Sequence, residues 1–245
     1  MSTCRPYRWV KRLLVRARRA LHIRVGDESV EDHGLAVLPD IMKYAEFNGL
    51  RGEYLEFGVY KGASFVAAWR AASELRLRHM RFFAFDSFQG LPSTADNHPT
   101  TPFQAGDFRA PLNVFEQTIR RARIDVERVV ISPGWFESTL TEQFKLEHAL
   151  AAVAVAWIDC DLYGSAVLVL DFLFDVLEHG SVLIFRDWYC YRGDRCYGEQ
   201  LAVQEWLERH PDVALIPYRP VSWNGEAFLF HRASSANADP RRLLL

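Results

Sequence analysis

Apolar residues follow two periods along this chain, and the two periods alternate. Short continuous apolar runs, such as "AAVAVAWI" at 151–158 and "SVLIF" at 181–185, indicate strands that are buried on both faces of a sheet. Between such runs, apolar residues recur every three or four positions, which predicts amphipathic helices. The pattern predicts helices over 30–49, 62–78, 111–123, 137–147, 165–178 and 197–209, and strands over 53–58, 81–86, 127–132, 152–159, 180–186, 213–217 and 226–231.

The alternation predicts an α/β fold, a three-layer Rossmann-like sheet of about seven strands, because strands joined by helices pair in parallel. Only "YRPVSWNG" separates the last two strands. That link is too short for a helical crossover, so we expect these two strands to pair antiparallel. The expected organisation is one domain over 26–233, preceded by an extension over 1–25 and followed by a tail over 234–245.

The N-terminal extension differs in charge from the rest of the chain. Residues 1–25 carry eight basic residues and no acid, whereas acids outnumber bases in the remainder. Segment 5–22 is able to form a basic amphipathic helix that lies on an anionic membrane surface or docks on a protein. A poorly ordered extension is the alternative. Charge confined to one tail does not indicate a nucleic-acid-binding fold, and residues 5–49 could instead form the interface of a homodimer.

Cysteine spacing and hydropathy indicate a cytoplasmic protein. The four cysteines form no C-x-x-C pair, so we expect free thiols in a reducing compartment rather than a zinc site. No stretch approaches the roughly 20 apolar residues that a membrane span needs. Arginines interrupt the apolar residues of the N-terminus, which does not fit a secretory signal. A peripheral membrane location through segment 5–22 is compatible with this pattern.

Polar residues cluster where the predicted parallel strands end, which is the edge at which such sheets bind ligands. After the first strand, Gly58 and Gly62 bracket Lys61, and the second strand ends at Asp86, 28 residues after Gly58. An acid at that place is suited to hydrogen-bond both hydroxyls of a ribose. The turn lacks the third glycine of a dinucleotide fingerprint and follows Glu56. It therefore suits S-adenosyl-L-methionine, which carries a cationic amino group, better than NAD, although an NAD-dependent oxidoreductase is an alternative.

Four stretches, "LEFGVYKGAS", "FAFDSFQGLP", "PGWFESTL" and "IDCDLYGS", together resemble the macrocin O-methyltransferase (TylF-like) family of class I methyltransferases over residues 30–232. The resemblance implies a seven-stranded sheet with an antiparallel last strand, and methyl transfer from S-adenosylmethionine to a hydroxyl of a small molecule, sugar or glycan. A non-catalytic member that binds the cofactor or a partner is the alternative. The predicted cofactor residues are Glu56, Phe57, Gly58, Lys61, Gly62, Ser64, Asp86, Ser87, Gly134, Trp135 and Asp159.

The resemblance also implies a magnesium site formed by acids at the ends of the fourth and fifth strands. The first part, "DCDLY", is intact, but the second part reads "FRDWY", with Arg186 where the first of two adjacent aspartates is expected. The predicted metal ligands are therefore reduced to Asp159 and Asp187. Three readings remain open: magnesium binds with fewer protein ligands, Arg186 replaces the charge of the metal, or Arg186 pairs with Asp159 or Asp161.

Methyl transfer to a hydroxyl needs a group that removes its proton, and three residues are candidates. His98 and Asp107 lie in a polar segment over 92–110 that could cover the site, and Asp161 lies in "DCDLY". Tyr163, Arg186 and Arg192 follow the fourth and fifth strands, so they are predicted to contact the acceptor.

Overall fold

A computed structural model describes residues 34–93, 101 and 103–233 of the chain. Its seven strands form one sheet in the order β3-β2-β1-β4-β5-β7-β6. Strand β7 is antiparallel to both of its neighbours, and the other neighbouring pairs are parallel, as the sequence predicts. The strands are β1 (Glu53–Phe57), β2 (Phe82–Asp86), β3 (Val129–Pro133), β4 (Val153–Ile158), β5 (Leu177–Phe185), β6 (Val213–Val221) and β7 (Gly225–Arg232).

Helices cover both faces of this sheet. The α-helices are α1 (Leu38–Phe47), α2 (Ala63–Glu74), α3 (Leu112–Arg121), α4 (Phe136–Thr139), α5 (Glu142–Glu147), α6 (Tyr163–Leu173) and α7 (Gly198–Arg209). Short 3₁₀ segments occupy Leu35–Val37, Val126–Arg128 and Tyr191–Gly193.

Strand residues alternate between two apolar cores, one on each face of the sheet. In β5, Val182 and Ile184 pack into the core formed with α1, α2 and α3, whereas Leu183 and Phe185 pack into the core formed with α6 and α7. Because both faces are covered, β4 and the second half of β5, residues 182–185, are apolar throughout. Polar residues of the site follow these two strands at their carboxyl ends.

Three predicted helices differ from the observed ones: 62–78 ends at Glu74, and local capping and strand pairing explain the other two differences. The predicted helix 137–147 is two helices, because the Thr141 side chain accepts a hydrogen bond from the Phe144 amide and begins α5. The predicted helix 165–178 ends earlier, since Leu177 instead pairs with Val153 of β4. The apolar residues before Leu177 continue the helical period, so sequence periodicity did not reveal this break.

Several predictions concern residues outside the described ranges. These are the N-terminal extension with segment 5–22, His98 and the tail over 234–245. The domain boundaries, the homodimer and the membrane contact through segment 5–22 therefore stay predictions. Within 34–93, 101 and 103–233, no helix has the length and apolar character needed to cross a membrane.

Candidate functional site

The turn after β1 is shaped by close contact between main-chain segments. Gly58 has φ +87°, and a β-carbon on it would lie 2.0 Å from the carbonyl oxygen of Asp159 in the neighbouring segment after β4. Gly62 has φ +86°, and a β-carbon there would lie 2.8 Å from the Phe115 ring of α3. Glycine is therefore required at both positions for two reasons: a β-carbon would clash with a neighbouring segment, and the backbone is left-handed.

Asp86, the last residue of β2, binds this turn through hydrogen bonds to its backbone amides. One carboxylate oxygen accepts hydrogen bonds from the Val59 and Tyr60 amides at 2.9 and 3.0 Å, and the other accepts from the Phe88 amide at 2.7 Å. Burial raises the pKa of Asp86, and these hydrogen bonds act in the opposite direction. Asp86 therefore sets the shape of the turn, and its carboxylate still has acceptor capacity for a ligand hydroxyl.

Glu56 lies fully buried beneath the same turn. Its two carboxylate oxygens accept hydrogen bonds from the Tyr54 and Ser64 hydroxyls. Burial raises the pKa of Glu56 from 4.5 to about 8, although the hydrogen bonds from Ser64 and Tyr54 oppose the rise. The protonated form of Glu56 is therefore favoured at neutral pH, and Ser64 stands between Glu56 and the open cavity described below.

The ends of β4 and β5 bring Asp159 and Arg186 together. The backbone amide of Arg186 donates to the Ile158 carbonyl at 2.9 Å, which continues the parallel pairing up to the site. The Nε atom of Arg186 lies 4.0 Å from Oδ2 of Asp159, and the guanidinium lies over the Trp157 ring, 5.2 Å from its centroid. Trp157 Nε1 donates to the same Asp159 oxygen at 3.3 Å. Of the three alternatives for Arg186, this geometry agrees best with an ion pair to Asp159, at the long separation of 4.0 Å.

Three buried acids lie next to this pair. Asp161 donates a side-chain hydrogen bond to Asp187, and Glu199 accepts one from the Asp187 amide at 3.0 Å. Burial and the charge of Asp159 raise the pKa of Asp187 to about 7, and burial raises the pKa values of Asp161 and Glu199 well above their ordinary range. The group therefore retains protons at neutral pH, because several adjacent carboxylates cannot all ionise in a buried place.

This donor set does not suit magnesium. Mg²⁺ needs near-octahedral oxygen ligands at about 2.0–2.1 Å, yet the Asp159 carboxylate lies beside a guanidinium. A dication about 5 Å from that cation would be repelled by roughly 7 kcal/mol at an effective dielectric constant of about 20. Among the described residues, no group of three or more His, Cys, Asp or Glu side chains is arranged to hold a metal ion.

A cavity of about 450 Å³ joins the turn after β1 to the ends of β4 and β5. Its volume falls in the range of small-molecule sites. The predicted residues that line it are Gly58, Lys61, Ser64, Asp86, Ser87, Gly134, Trp135, Asp159, Asp161, Arg186 and Asp187. The tertiary structure thus brings most of the predicted site to one place.

Other predicted site residues lie away from the cavity wall. Phe57 stacks on Phe85 inside the core, and Gly62 faces Phe115. Asp107 accepts a hydrogen bond from the Gln104 amide. The Tyr163 hydroxyl donates to Glu205 of α7, because α6 begins at Tyr163 and turns this side chain towards α7. Arg192 is exposed on the 3₁₀ segment after β5.

The sequence analysis missed an aromatic part of the cavity. Trp157 of β4 lines its floor, and Tyr60, Phe103, Phe108 and Trp223 line its walls. Trp223 is 82% exposed, in the turn between β6 and β7. The sequence signal that could have revealed Trp223 is an aromatic residue in the short turn "SWNG". A side chain in such a turn cannot pack into the core, so an aromatic residue there indicates a ligand contact. The turn lies at the cavity because β7 pairs with β5. This long-range pairing cannot be predicted from the local sequence pattern.

The sheet order, the antiparallel β7 and the cavity at the carboxyl ends of the strands define a class I methyltransferase fold. Two solved O-methyltransferases share it. NovP has a TM-score of 0.64 at 22% identity, with 84% of this chain and 82% of NovP covered. The calicheamicin methyltransferase CalS11 has a TM-score of 0.66 at 20% identity, with 92% of this chain and 86% of CalS11 covered. At these identities the likeness concerns the fold.

The chain belongs to the macrocin O-methyltransferase (TylF) family, because that family's model matches residues 21–211. It is similar to the mycinamicin III 3''-O-methyltransferase of Micromonospora griseorubida, with 29% identity over 192 residues, 74% of this chain and 71% of the relative. It also resembles a tetracenomycin-C rhamnosyl 4'-O-methyltransferase of Streptomyces olivaceus, with 29% identity over 158 residues, 61% of this chain and 56% of the relative. The predicted family is therefore confirmed, and an oxidoreductase is not supported.

Proposed function

We propose that this chain transfers a methyl group from S-adenosylmethionine to a hydroxyl group of a sugar-bearing small molecule. The observation that carries the proposal is the continuity of one cavity. It runs from the turn after β1, with Asp86 beside it, to the polar ends of β4 and β5. A nucleoside bound at the first part and an acceptor bound at the second would meet within one cavity.

The residues at the first part fit the cofactor. Asp86 retains acceptor capacity for ribose hydroxyls, Trp135 offers a ring for a base, and Ser64 lies at the wall above Glu56. When bound, S-adenosylmethionine supplies an electrophilic methyl group, whose S–C bond breaks as the acceptor oxygen forms its new C–O bond. The protein's own task is then to hold the hydroxyl in line and to exclude water.

Two observations support a sugar as the acceptor. The relatives from Micromonospora griseorubida and Streptomyces olivaceus are named as methyltransferases of a mycinamicin and of a rhamnosyl tetracenomycin. In addition, the exposed Trp223 ring at the cavity presents an apolar face, and the C–H face of a sugar ring can pack against such a surface. Acidic side chains beyond it can accept hydrogen bonds from hydroxyls.

Of the candidate bases at described residues, Asp161 lines the cavity while Asp107 does not. Because Asp161 is itself the hydrogen-bond donor to Asp187, the acceptor proton would enter the Asp161–Asp187 pair through the Asp187 carboxylate. His98 remains an alternative from the sequence. Magnesium is left out of this proposal, because Arg186 stands beside Asp159.

Titration calorimetry with S-adenosylmethionine and with NAD tests the cofactor. We expect micromolar binding of S-adenosylmethionine and none of NAD, and Asp86→Ala should weaken binding at least tenfold because three backbone amides lose their acceptor. The matched control is Asp125→Ala, which also removes an acid that accepts a backbone amide, but in the cap before β3. NAD binding without S-adenosylmethionine binding would refute the proposal.

The acceptor is tested by following S-adenosylhomocysteine formation with a panel of nucleotide sugars and glycosylated aromatic or macrolide compounds. We expect turnover with one of these sugar classes. Tight binding of S-adenosylmethionine without turnover on any sugar hydroxyl would instead support the non-catalytic alternative.

A further inference from the structure

Arg186 is a buried cation in a confined place. The residue is only 5% exposed, although its side chain carries five N–H donors. Its Nη1 donates to the Val221 carbonyl of β6 at 3.2 Å. A β-carbon added to Gly34 or Gly225 would approach the same Nη1 to 3.1 and 3.2 Å. The guanidinium is therefore held between two backbone segments and the Trp157 ring, and it has little freedom to move away.

Three buried polar atoms on residues that line the cavity lack a hydrogen-bond partner among the described residues: Nε of Arg186, Oδ2 of Asp187 and Oδ1 of Asn224. The first two belong to adjacent residues, and Asp187 is only 7% exposed. An unpaired buried donor and an unpaired buried acceptor are each costly, and one ligand hydroxyl can satisfy both, since its oxygen accepts and its hydrogen donates.

We propose that Arg186 is the fixed cation that holds the acceptor hydroxyl oxygen, in place of a divalent metal ion. The inference rests on the proposed function, because it needs an acceptor hydroxyl in this cavity. Nε of Arg186 donates to the hydroxyl oxygen, and Oδ2 of Asp187 accepts its hydrogen. Methyl transfer by this chain is then independent of divalent cations.

The chemistry of the guanidinium suits this task. A guanidinium carries a positive charge and directional N–H donors without any bound metal ion. A cation that is already oriented stabilises negative charge developing on the acceptor oxygen without reorganisation. The Arg186 charge also disfavours a second cation at Asp159.

The first experiment measures metal binding directly, without turnover. Mn²⁺ is titrated into purified protein saturated with S-adenosylhomocysteine, and bound Mn²⁺ is followed by electron paramagnetic resonance. We expect no saturable binding by wild type at millimolar Mn²⁺. Arg186→Asp restores two adjacent aspartates and should bind at least tenfold more tightly. The control Arg78→Asp makes the same charge change at an exposed residue before β2, and should behave like wild type.

The second experiment measures turnover on the sugar acceptor found in the panel. We expect wild-type rates to be unchanged by EDTA and by added Mg²⁺. Arg186→Gln and Arg186→Lys should each lower kcat at least tenfold, while binding of S-adenosylmethionine stays within twofold. Glutamine removes the positive charge, and lysine keeps the charge but lacks the Nε donor. Saturable Mn²⁺ binding by wild type, or a rate abolished by EDTA and restored by Mg²⁺, would overturn the inference.

The two proposals fail in different ways. If wild type does not bind S-adenosylmethionine, the proposed function is wrong. If it binds S-adenosylmethionine and methylates a sugar only with Mg²⁺, the proposed function stands and the role of Arg186 is wrong. Should Arg186→Asp fail to fold, the wild-type Mn²⁺ titration and the EDTA measurement still decide the question.

Discussion

The two ends of the cavity are built differently. At the β1 and β2 end, the acids are satisfied by the protein itself: Glu56 by two hydroxyls and Asp86 by three backbone amides. At the β4 and β5 end, Arg186 Nε and Asp187 Oδ2 are buried without partners among the described residues. The acids of the first end already have protein partners before a ligand arrives, whereas the second end has a buried donor and a buried acceptor that still lack partners within the described part of the chain.

This difference agrees with the proposed function, in which the first end binds the cofactor and the second end binds the acceptor. A site for an invariant cofactor benefits from a turn that is already rigid, because binding then orders little. A site for a variable acceptor keeps its polar atoms for the substrate and gains specificity, since a ligand that lacks the hydroxyl leaves buried groups unpaired. Arg186, at a position where the family resemblance implies an aspartate, lies at the second end.

The largest effect is expected from Gly58→Ala, which tests the rigidity of the cofactor end. The new β-carbon would lie 2.0 Å from the Asp159 carbonyl, at φ +87°. We expect a loss of about 3 kcal/mol or more in the free energy of unfolding, because backbone atoms of β1 and β4 would have to separate. Denaturant unfolding followed by circular dichroism measures it.

Gly49→Ala is the matched control for that substitution. Gly49 also has a positive φ, +68°, but a β-carbon there meets nothing within 4 Å. Its cost should be limited to backbone strain, about 1–2 kcal/mol. Equal losses for the two variants would show that the close contact between β1 and β4 does not determine the turn.

The second expected effect is a pH dependence of stability caused by Glu56. Its folded-state pKa of about 8 lies above the ordinary value of 4.5, so the folded state binds the proton more tightly. The resulting stability is fully present below pH 4.5 and is lost as the pH rises to about 8, with a slope of up to about 1.4 kcal/mol per pH unit. Glu56→Gln should remove this slope.

Unfolding free energies of wild type and Glu56→Gln between pH 4.5 and 8.5 measure this effect. The curves should converge near pH 4.5 and diverge at higher pH, with the variant more stable there. The exposed Glu127→Gln provides the control and should keep the wild-type slope. Parallel curves for wild type and Glu56→Gln would mean that Glu56 is ionised in the folded state.

The smallest effect is expected from Trp223→Ala, which tests the acceptor end. Trp223 is 82% exposed and lines the cavity, so its removal should leave the fold intact. We expect KM for the sugar acceptor to rise about tenfold with kcat within twofold, which corresponds to about 1.4 kcal/mol. Phe47→Ala, at an equally exposed aromatic residue at the end of α1, should change neither constant. An unchanged KM for Trp223→Ala would remove the proposed sugar contact.

Much of the fold was predictable because it depends on local pattern. Continuous apolar runs identify β4 and the inner part of β5, and the short link before β7 predicts its antiparallel pairing. Helix ends were less predictable: α6 stops before Leu177 because that residue pairs with Val153, a contact across sequence. Residues that end or follow parallel strands, such as Asp86 and Asp159, line the cavity because these strands end at one edge of the sheet.

The site predictions that the structure does not support concern side-chain direction. Phe57 follows Glu56 in a strand and therefore points to the opposite face, into the core. Tyr163 was expected at the cavity from its position after β4, but its hydroxyl donates to Glu205 of α7. Position in sequence indicates which edge a residue reaches, whereas packing decides what the side chain contacts.

The sequence by itself determined the α/β class, the order of most strands and helices, the methyltransferase family and the unusual arginine at 186. Each of these depends on residue type and local spacing, which need no long-range contact to read. Only the tertiary structure decided that Gly58 accommodates the Asp159 backbone and that Trp223 reaches the cavity. It also decided that Arg186 Nε and Asp187 Oδ2 find no hydrogen-bond partner within the part of the chain that the structure describes. These features arise where distant segments meet, and burial there sets the energy of every polar group.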